Sequence, residues 1–199
     1  ERDDGSLQEQ EGRFEDALAC LPSRPPLVHA ENSAALARTR RSRWSLGRPG
    51  VFLYGVGSGD GALVQPEPVV RLCARIAELR TVREGETVSY GATYRARGER
   101  RIATLPLGYA DGYRRALGNR GQALVGGRLA RVAGIVTMDM TMIDVTGVEC
   151  AVGDVVTLIG RDGEHELSVE AVANAGELSP YELLTGLRAR LPRRYVDPA

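Results

Sequence analysis

Val70-Arg71-Leu72-Cys73-Ala74-Arg75-Ile76-Ala77 decides how the chain is read: Val70, Leu72, Ala74 and Ile76 form one row, and Arg71, Cys73, Arg75 and Ala77 the other. A period of two marks a strand with one buried face. Short β-prone runs follow at Val88 to Tyr94, Ile102 to Leu107, Ala123 to Val125, Ile143 to Val145 and Val155 to Ile159, separated by glycine-containing turns. This spacing predicts a mostly antiparallel β domain. Near its end, Ser168 to Ala175 and Ser179 to Leu187 each open on a serine with an acid in the first turn, the pattern of two short capped helices.

Upstream the texture changes. Gly55 to Pro68 carries Gly55, Gly57, Gly59, Gly61, Pro66 and Pro68 with no apolar periodicity and reads as a linker. Before it, Ser6 and Glu9 fit a capping box, and Phe14, Leu18 and Leu21 recur at helical spacing until Pro22, predicting an amphipathic helix over 7–21. Leu27-Val28 reads as strand, His29 to Ser33 as loop, and Ala34 to Arg38 as a helix capped by Asn32 or Ser33; Val51 to Tyr54, after Arg48-Pro49-Gly50, reads as the next strand. Strand, loop, helix and strand are the last turns of an α/β repeat. A complete barrel of such repeats needs about 250 residues, more than the 199 present. The expected organisation is α+β: the end of a truncated (β/α)8 barrel at 1–58, a linker at 59–65, and a β-rich domain with short helices at 66–199.

With 43% apolar residues and a formal charge of zero, the chain can bury a real core. It contains no apolar run of about 18 or more residues, and Glu1 to Asp4 is acidic where an export signal is basic, so a soluble cytoplasmic protein is expected. Cys20, Cys73 and Cys150 are odd in number and widely spaced, which predicts buried thiols rather than disulfides or a metal site. Arg38, Arg40, Arg41 and Arg43, and Arg188, Arg190, Arg193 and Arg194, read as solvated faces or interface ion pairs; zero net charge and no interleaved aromatics argue against nucleic acid. Every one of the 26 cationic Lys/Arg positions is arginine. Covalent chemistry through a lysine amine is closed to these residues.

Asn32-Ser33 at a helix start and Arg48-Pro49-Gly50 before an apolar run offer the hydroxyl and free N–H groups that an anion needs. Simple capping and turn formation explain the same residues. The weighing changes with three segments, Val88-Ser89-Tyr90-Gly91-Ala92-Thr93-Tyr94, Leu105-Pro106-Leu107-Gly108-Tyr109-Ala110-Asp111-Gly112-Tyr113 and Val136-Thr137-Met138-Asp139-Met140. In their spacing, and with Asn32-Ser33-Ala34 and Arg48-Pro49-Gly50 upstream, they resemble the C-terminal part of the alanine racemase family over most of the chain.

The resemblance implies a pyridoxal-phosphate-dependent isomerase that interconverts L- and D-alanine and supplies D-alanine for peptidoglycan. It also implies a head-to-tail homodimer, each composite site taking its cofactor barrel from one chain and a tyrosine from the other. By resemblance Tyr90 is that tyrosine, the acid/base on one face of the substrate Cα, with a lysine from upstream sequence on the other face. A phenol has a pKa of about 10, so it needs stabilising cations and donors to act as a base at neutral pH. Arg48 matches the family's arginine that hydrogen-bonds the cofactor's pyridine nitrogen. Because arginine keeps its proton, it leaves that nitrogen largely unprotonated and restrains the electron sink, where the carboxylate of fold-related decarboxylases protonates it.

The same resemblance puts Asn32, Ser33 and the backbone N–H groups of Gly50 and Val51 around the cofactor phosphate, with His29 bracing Arg48. Met138 offers its N–H to the substrate carboxylate across the dimer interface, Tyr109 narrows the entrance, and Asp139 supports from behind. No metal is implied. Two positions depart from the pattern: Ile135 stands where many members have an arginine, and Ala189 where many have a phosphate-contacting tyrosine. Entrance polarity and phosphate contacts follow those positions. Other readings of the same residues are a racemase for serine or for several amino acids, or, given the missing lysine, a non-catalytic dimerisation module.

Overall fold

In a computed structural model, which describes residues 5–59 and 61–196, the chain divides into two compact units, Glu1–Val69 and Val70–Ala199. The acidic Glu1 to Asp4 and, within the predicted linker, Asp60 lie outside the described residues. The first unit begins with α1 (Ser6–Ala19), where the capping box does not form. Its cap is Gly5 at φ 78°, whose carbonyl accepts from the Glu9 N–H, and the Glu9 carboxylate pairs outward with Arg13. No α1 residue is buried, although Phe14 meets Trp44 with ring centroids 5.2 Å apart.

Strand β1 (His29–Asn32) runs directly into α2 (Ser33–Arg38), capped by Asn32, whose side-chain oxygen accepts from the Ala35 N–H at 3.0 Å. The partner of β1 is β2 (Leu46–Arg48), in parallel register with Asn32 opposite Arg48. The strand expected at Val51 to Tyr54 is instead a 3-10 turn, with Leu53 N–H donating to Gly50 O and Gly55 N–H to Phe52 O. An apolar run of four has no decisive period, and here Gly50 and the left-handed Gly55, at φ 82°, close it at both ends. The strand lies one step earlier, at Leu46–Arg48, where the bare Gly47 packs against Leu36: a Cβ there would sit 2.8 Å from Leu36 Cδ2.

Glu31 on β1 is 1% exposed, and among the described residues neither carboxylate oxygen has a hydrogen-bond partner. A buried unpaired carboxylate costs several kcal/mol. Glu31→Met, similar in volume and uncharged, is expected to stabilise this chain by about 1–4 kcal/mol in urea unfolding. A loss of stability would show that Glu31 does structural work in the folded chain.

The second unit is a single eight-stranded sheet, antiparallel throughout, plus a small hairpin. In chain order its strands are β3 (Leu72–Arg75), β4 (Glu78–Val82), the hairpin pair β5 (Thr87–Val88) and β6 (Tyr94–Arg95), β7 (Arg100–Leu105), β8 (Gln122–Val125), β9 (Arg128–Val132), β10 (Thr141–Asp144), β11 (Val155–Asp162) and β12 (His165–Leu167). The sheet runs β12-β11-β8-β9-β10-β7-β4, and β3 pairs β11. Since β3 and β4 are one extended stretch joined by the buried Ile76, the segment is held by β11 at one end and by β7 at the other. The sheet thereby curls and closes on itself.

Ile102, Leu105, Leu124, Ile143, Val156 and Leu158 are 0% exposed and fill the interior, each contributing about 1.5–3 kcal/mol by burial. Two short helices follow as expected, α3 (Val169–Ala175) and α4 (Pro180–Gly186), with Ser168 and Ser179 accepting from the N–H groups of Ala171 and Glu182. The prediction of buried thiols holds for Cys150 alone. Cys20 falls at the exposed end of α1, and Cys73 takes the outward position of β3 opposite Thr157. None of the three is in a disulfide. No helix of the described residues is long and apolar enough to cross a membrane.

The run Val88 to Tyr94 is not one strand. It is β5, a tight turn at Tyr90–Ala92, and β6, with Ser89, Gly91 and Ala92 all at positive φ. A continuous strand would bury alternate residues, whereas this turn lifts Tyr90 to 77% exposure.

Candidate active site

Each unit gathers its own set of the predicted residues. In the first, the parallel register of β1 and β2 sets His29 and Arg48 together: Arg48 Nη1 lies 2.9 Å from His29 Nδ1 and donates to the His29 carbonyl at 3.2 Å. Arginine has no acceptor, so His29 Nδ1 must be the acceptor, and the neutral ring carries its proton on Nε2. Two bonds from one nitrogen fix the direction of the guanidinium, and its other donors meet no acceptor among the described residues. Ser33 Oγ accepts from the Gly50 N–H at 2.8 Å, tying the start of α2 to the turn before Val51. The Ser33 hydroxyl proton is not donated to any of the described residues.

Asn32 uses its carbonyl oxygen as the α2 cap and keeps its amide N–H groups. A Cβ on Gly50 would meet only Ser33 Oγ, at 3.8 Å, so the space over this turn is open. A hydroxyl, an amide and backbone N–H groups beside open space suit a phosphate ester. A fixed guanidinium suits an aromatic nitrogen that accepts a hydrogen bond.

In the second unit, two loops are zipped together. Tyr109 N–H donates to Thr137 O at 2.9 Å, Ala110 N–H to Met138 O at 3.0 Å, and Thr141 Oγ1 to Leu107 O at 2.7 Å. Gly108 makes this approach possible, because a Cβ there would stand 2.3 Å from Thr137 O and 2.5 Å from Met138 O. The Met138 N–H has no partner among the described residues, and the side chains of Met138 and Tyr109 are exposed. Asp139 is held at 2.7 Å by Arg190, whose Nε also reaches the buried Asp111 at 3.3 Å, while Asp111 accepts from the Gly108 N–H.

The pattern of clustered arginines does not single out Arg190, and the structure does. It is an ion pair within this unit that links the loop of Gly108 to that of Asp139. Asp111, inside Gly-Tyr-Ala-Asp-Gly, is the sequence feature nearest to it, but that motif does not name the arginine it pairs with.

The two tyrosines of the Tyr90 segment differ sharply. Tyr94 is half-buried and donates to Asp144 Oδ2 at 2.8 Å; burial first, and this bond second, push its pKa up to about 12. Burial alone would raise Asp144, but hydrogen bonds from the Thr146 hydroxyl and N–H and from Tyr94 hold it below the ordinary carboxylate value. Tyr94 therefore keeps its proton. The Tyr90 hydroxyl makes no hydrogen bond among the described residues and projects from the turn. Ile135 lies beside that turn, and its carbonyl accepts from Ser89 Oγ at 2.8 Å.

Comparison with known proteins matches both units. A family model described as alanine racemase, C-terminal domain, covers residues 69–195, and one described as alanine racemase, N-terminal domain, covers 1–58. An alanine racemase of Sorangium cellulosum is 40% identical over 192 residues, 94% of this chain and 51% of its own length. Among solved structures, the alanine racemase from E. faecalis superposes with a TM-score of 0.90 at 36% identity, over 98% of this chain and 53% of that one. The alanine racemase of Bartonella henselae, with covalently bound pyridoxal phosphate, gives 0.87 at 31% identity over 98% and 53%. The chain spans about half the length of the curated relatives it matches. On the sequence motifs, the two folded units and these matches, the chain belongs to the alanine racemase family.

Proposed function

We propose that this chain forms part of an alanine racemase that interconverts L- and D-alanine with pyridoxal phosphate, and that it contributes Tyr90 as one of the two acid/base groups. The observation that carries the reading is the contrast at Tyr90: an exposed, unpartnered phenol on a turn four residues from a tyrosine whose proton is locked. A group that moves a proton must have its hydroxyl free to meet substrate. Bound pyridoxal phosphate supplies the electron sink that makes the substrate Cα proton removable.

In the first unit, Asn32, Ser33 and the Val51 N–H hold the phosphate; the Gly50 N–H, which the resemblance also put there, is instead given to Ser33 Oγ and shapes the turn. Arg48, fixed by His29, donates to the pyridine nitrogen without surrendering its proton. The Met138 N–H orients the substrate carboxylate, Tyr109 narrows the approach, and Asp139 steadies Met138 through the Arg190 tie. Tyr90 takes or returns the proton on one face of Cα. The opposite face needs a lysine, which no position here provides. The complete site therefore draws on further polypeptide, in a cytoplasmic homodimer whose product serves peptidoglycan synthesis.

The test is to co-express this chain with the lysine-bearing N-terminal half of an alanine racemase, then record cofactor absorbance and the conversion of L- to D-alanine. The chain alone is expected to racemise nothing, and the reconstituted pair to form D-alanine faster than D-serine. A folded pair that binds the cofactor yet converts neither amino acid would sink the reading.

A further inference from the structure

Tyr90 stands on a backbone that its neighbours do not favour. Ser89 at φ 68° and Ala92 at φ 50° are non-glycine residues in the left-handed region, on either side of Gly91 at φ 69°. Such residues persist only where the surroundings hold them. The Tyr90 side chain makes no hydrogen bond among the described residues, so the turn must be held at its flanks.

Both flanks lead to Asn119. On the Thr93 side, Asn119 Nδ2 donates to Thr93 Oγ1 at 3.1 Å. On the Ser89 side, Asn119 grips Gly134 twice: its Oδ1 accepts from the Gly134 N–H at 2.7 Å, and its own N–H donates to Gly134 O at 3.0 Å. Gly134 in turn fits against the turn through its missing side chain, since a Cβ there would lie 2.6 Å from Ser89 Cβ and 2.7 Å from Val88 O. The next residue, Ile135, receives the Ser89 hydroxyl. Asn119, itself at φ 56°, spans the base of the turn with one amide.

We infer that Asn119 is a positioning residue for Tyr90: its side-chain amide fixes Thr93 and Gly134 together, and so fixes where the phenol projects. The inference rests on the reading of Tyr90 as an acid/base group. Asn119 touches neither substrate nor cofactor in this assignment. Its effect passes through the geometry of the turn, where a displacement of about 1 Å costs on the order of 10²-fold in rate.

Asn119→Gly separates the amide from the backbone, because glycine accepts φ 56° and the chain stays folded. In the 199-residue chain, amide exchange at residues 90–93 and at Gly134 is expected to quicken at least about tenfold, with β7 and β11 unchanged. Asn119→Asp, which keeps the acceptor for Gly134 and whose second oxygen can accept from the Thr93 hydroxyl, should restore most of the protection at both flanks. In the reconstituted racemase, Asn119→Gly should lower kcat roughly 10–100-fold with KM nearly constant, and should add little to Tyr90→Phe. Unchanged exchange at the turn overturns the inference. So does faster exchange with unchanged kcat, provided Tyr90→Phe is inactive. Turnover unaffected by Tyr90→Phe overturns the reading of Tyr90 itself, and the positioning role falls with it.

Discussion

Tyr90→Phe, in the racemase reconstituted from this chain and a lysine-bearing half, is expected to reduce turnover by roughly 10²–10⁴-fold, the usual contribution of one acid/base group. The substitution removes a single oxygen from a ring that is 77% exposed and whose hydroxyl bonds to nothing among the described residues. Folding should therefore be unaffected, and the thermal midpoint of the chain should stay within a degree or so of the parent's. Loss of rate with an unchanged midpoint distinguishes chemistry from stability. On the proposed reading each face of Cα is served by a different group, so the defect should also be uneven. Incorporation of solvent deuterium starting from one alanine antipode should fall more than from the other. Unimpaired racemisation in both directions would remove Tyr90 from the mechanism.

Gly108→Ala is expected to be among the most damaging single-methyl substitutions in the second unit. Its Cβ would arrive 2.3 Å from Thr137 O, 2.5 Å from Met138 O and 2.6 Å from Met138 C, all of them backbone atoms. A flexible side chain can swing away; these atoms belong to a loop tied down by Tyr109, Ala110 and Thr141. Overpacking against fixed backbone costs about 1–3 kcal/mol and more where nothing yields, so a loss of about 3 kcal/mol in denaturant unfolding is expected. The loops must part to admit the methyl, which displaces the Met138 N–H and lengthens the Asp111 bond to the Gly108 N–H. Weaker substrate binding in the reconstituted enzyme should accompany the lost stability. An alanine variant as stable as the parent would show that the two loops are not rigidly zipped.

What the sequence discloses depends on how each residue meets its neighbours. Alternation at Leu72 to Arg75 and the serines at Ser168 and Ser179 speak for themselves, because strand period and helix caps are local. β4 and β9 are silent by the same rule. Glu78-Leu79-Arg80-Thr81-Val82 and Arg128-Leu129-Ala130-Arg131-Val132 carry arginine on their outer face and only two or three apolar residues each, and long-range pairing makes them strands. Gly126-Gly127, both at positive φ, was the available sign of the β8–β9 hairpin.

The strand-like composition at Val51 to Tyr54 and through Tyr90 misleads for a shared reason: glycines permit a turn that apolar side chains do not announce. The pairing of Arg48 with His29 is a matter of strand register, and that of Arg190 with Asp111 and Asp139 joins residues far apart in the chain. Motif resemblance names the first pair, but nothing in the sequence alone aligns the second.

The way the sheet closes also sets an order of events during synthesis. β3 emerges from the ribosome early, yet its register partners, Val155 to Ile159, are among the last strand residues made. Until then Leu72 and Ile76 have no core to enter, and the early strands must wait unpaired on one side. Closing so long a loop is entropically slow. The nascent second unit is thus most vulnerable to aggregation and proteolysis just before β11 appears, and a pause in translation upstream of Val155 would harm its yield more than one placed after Asp162.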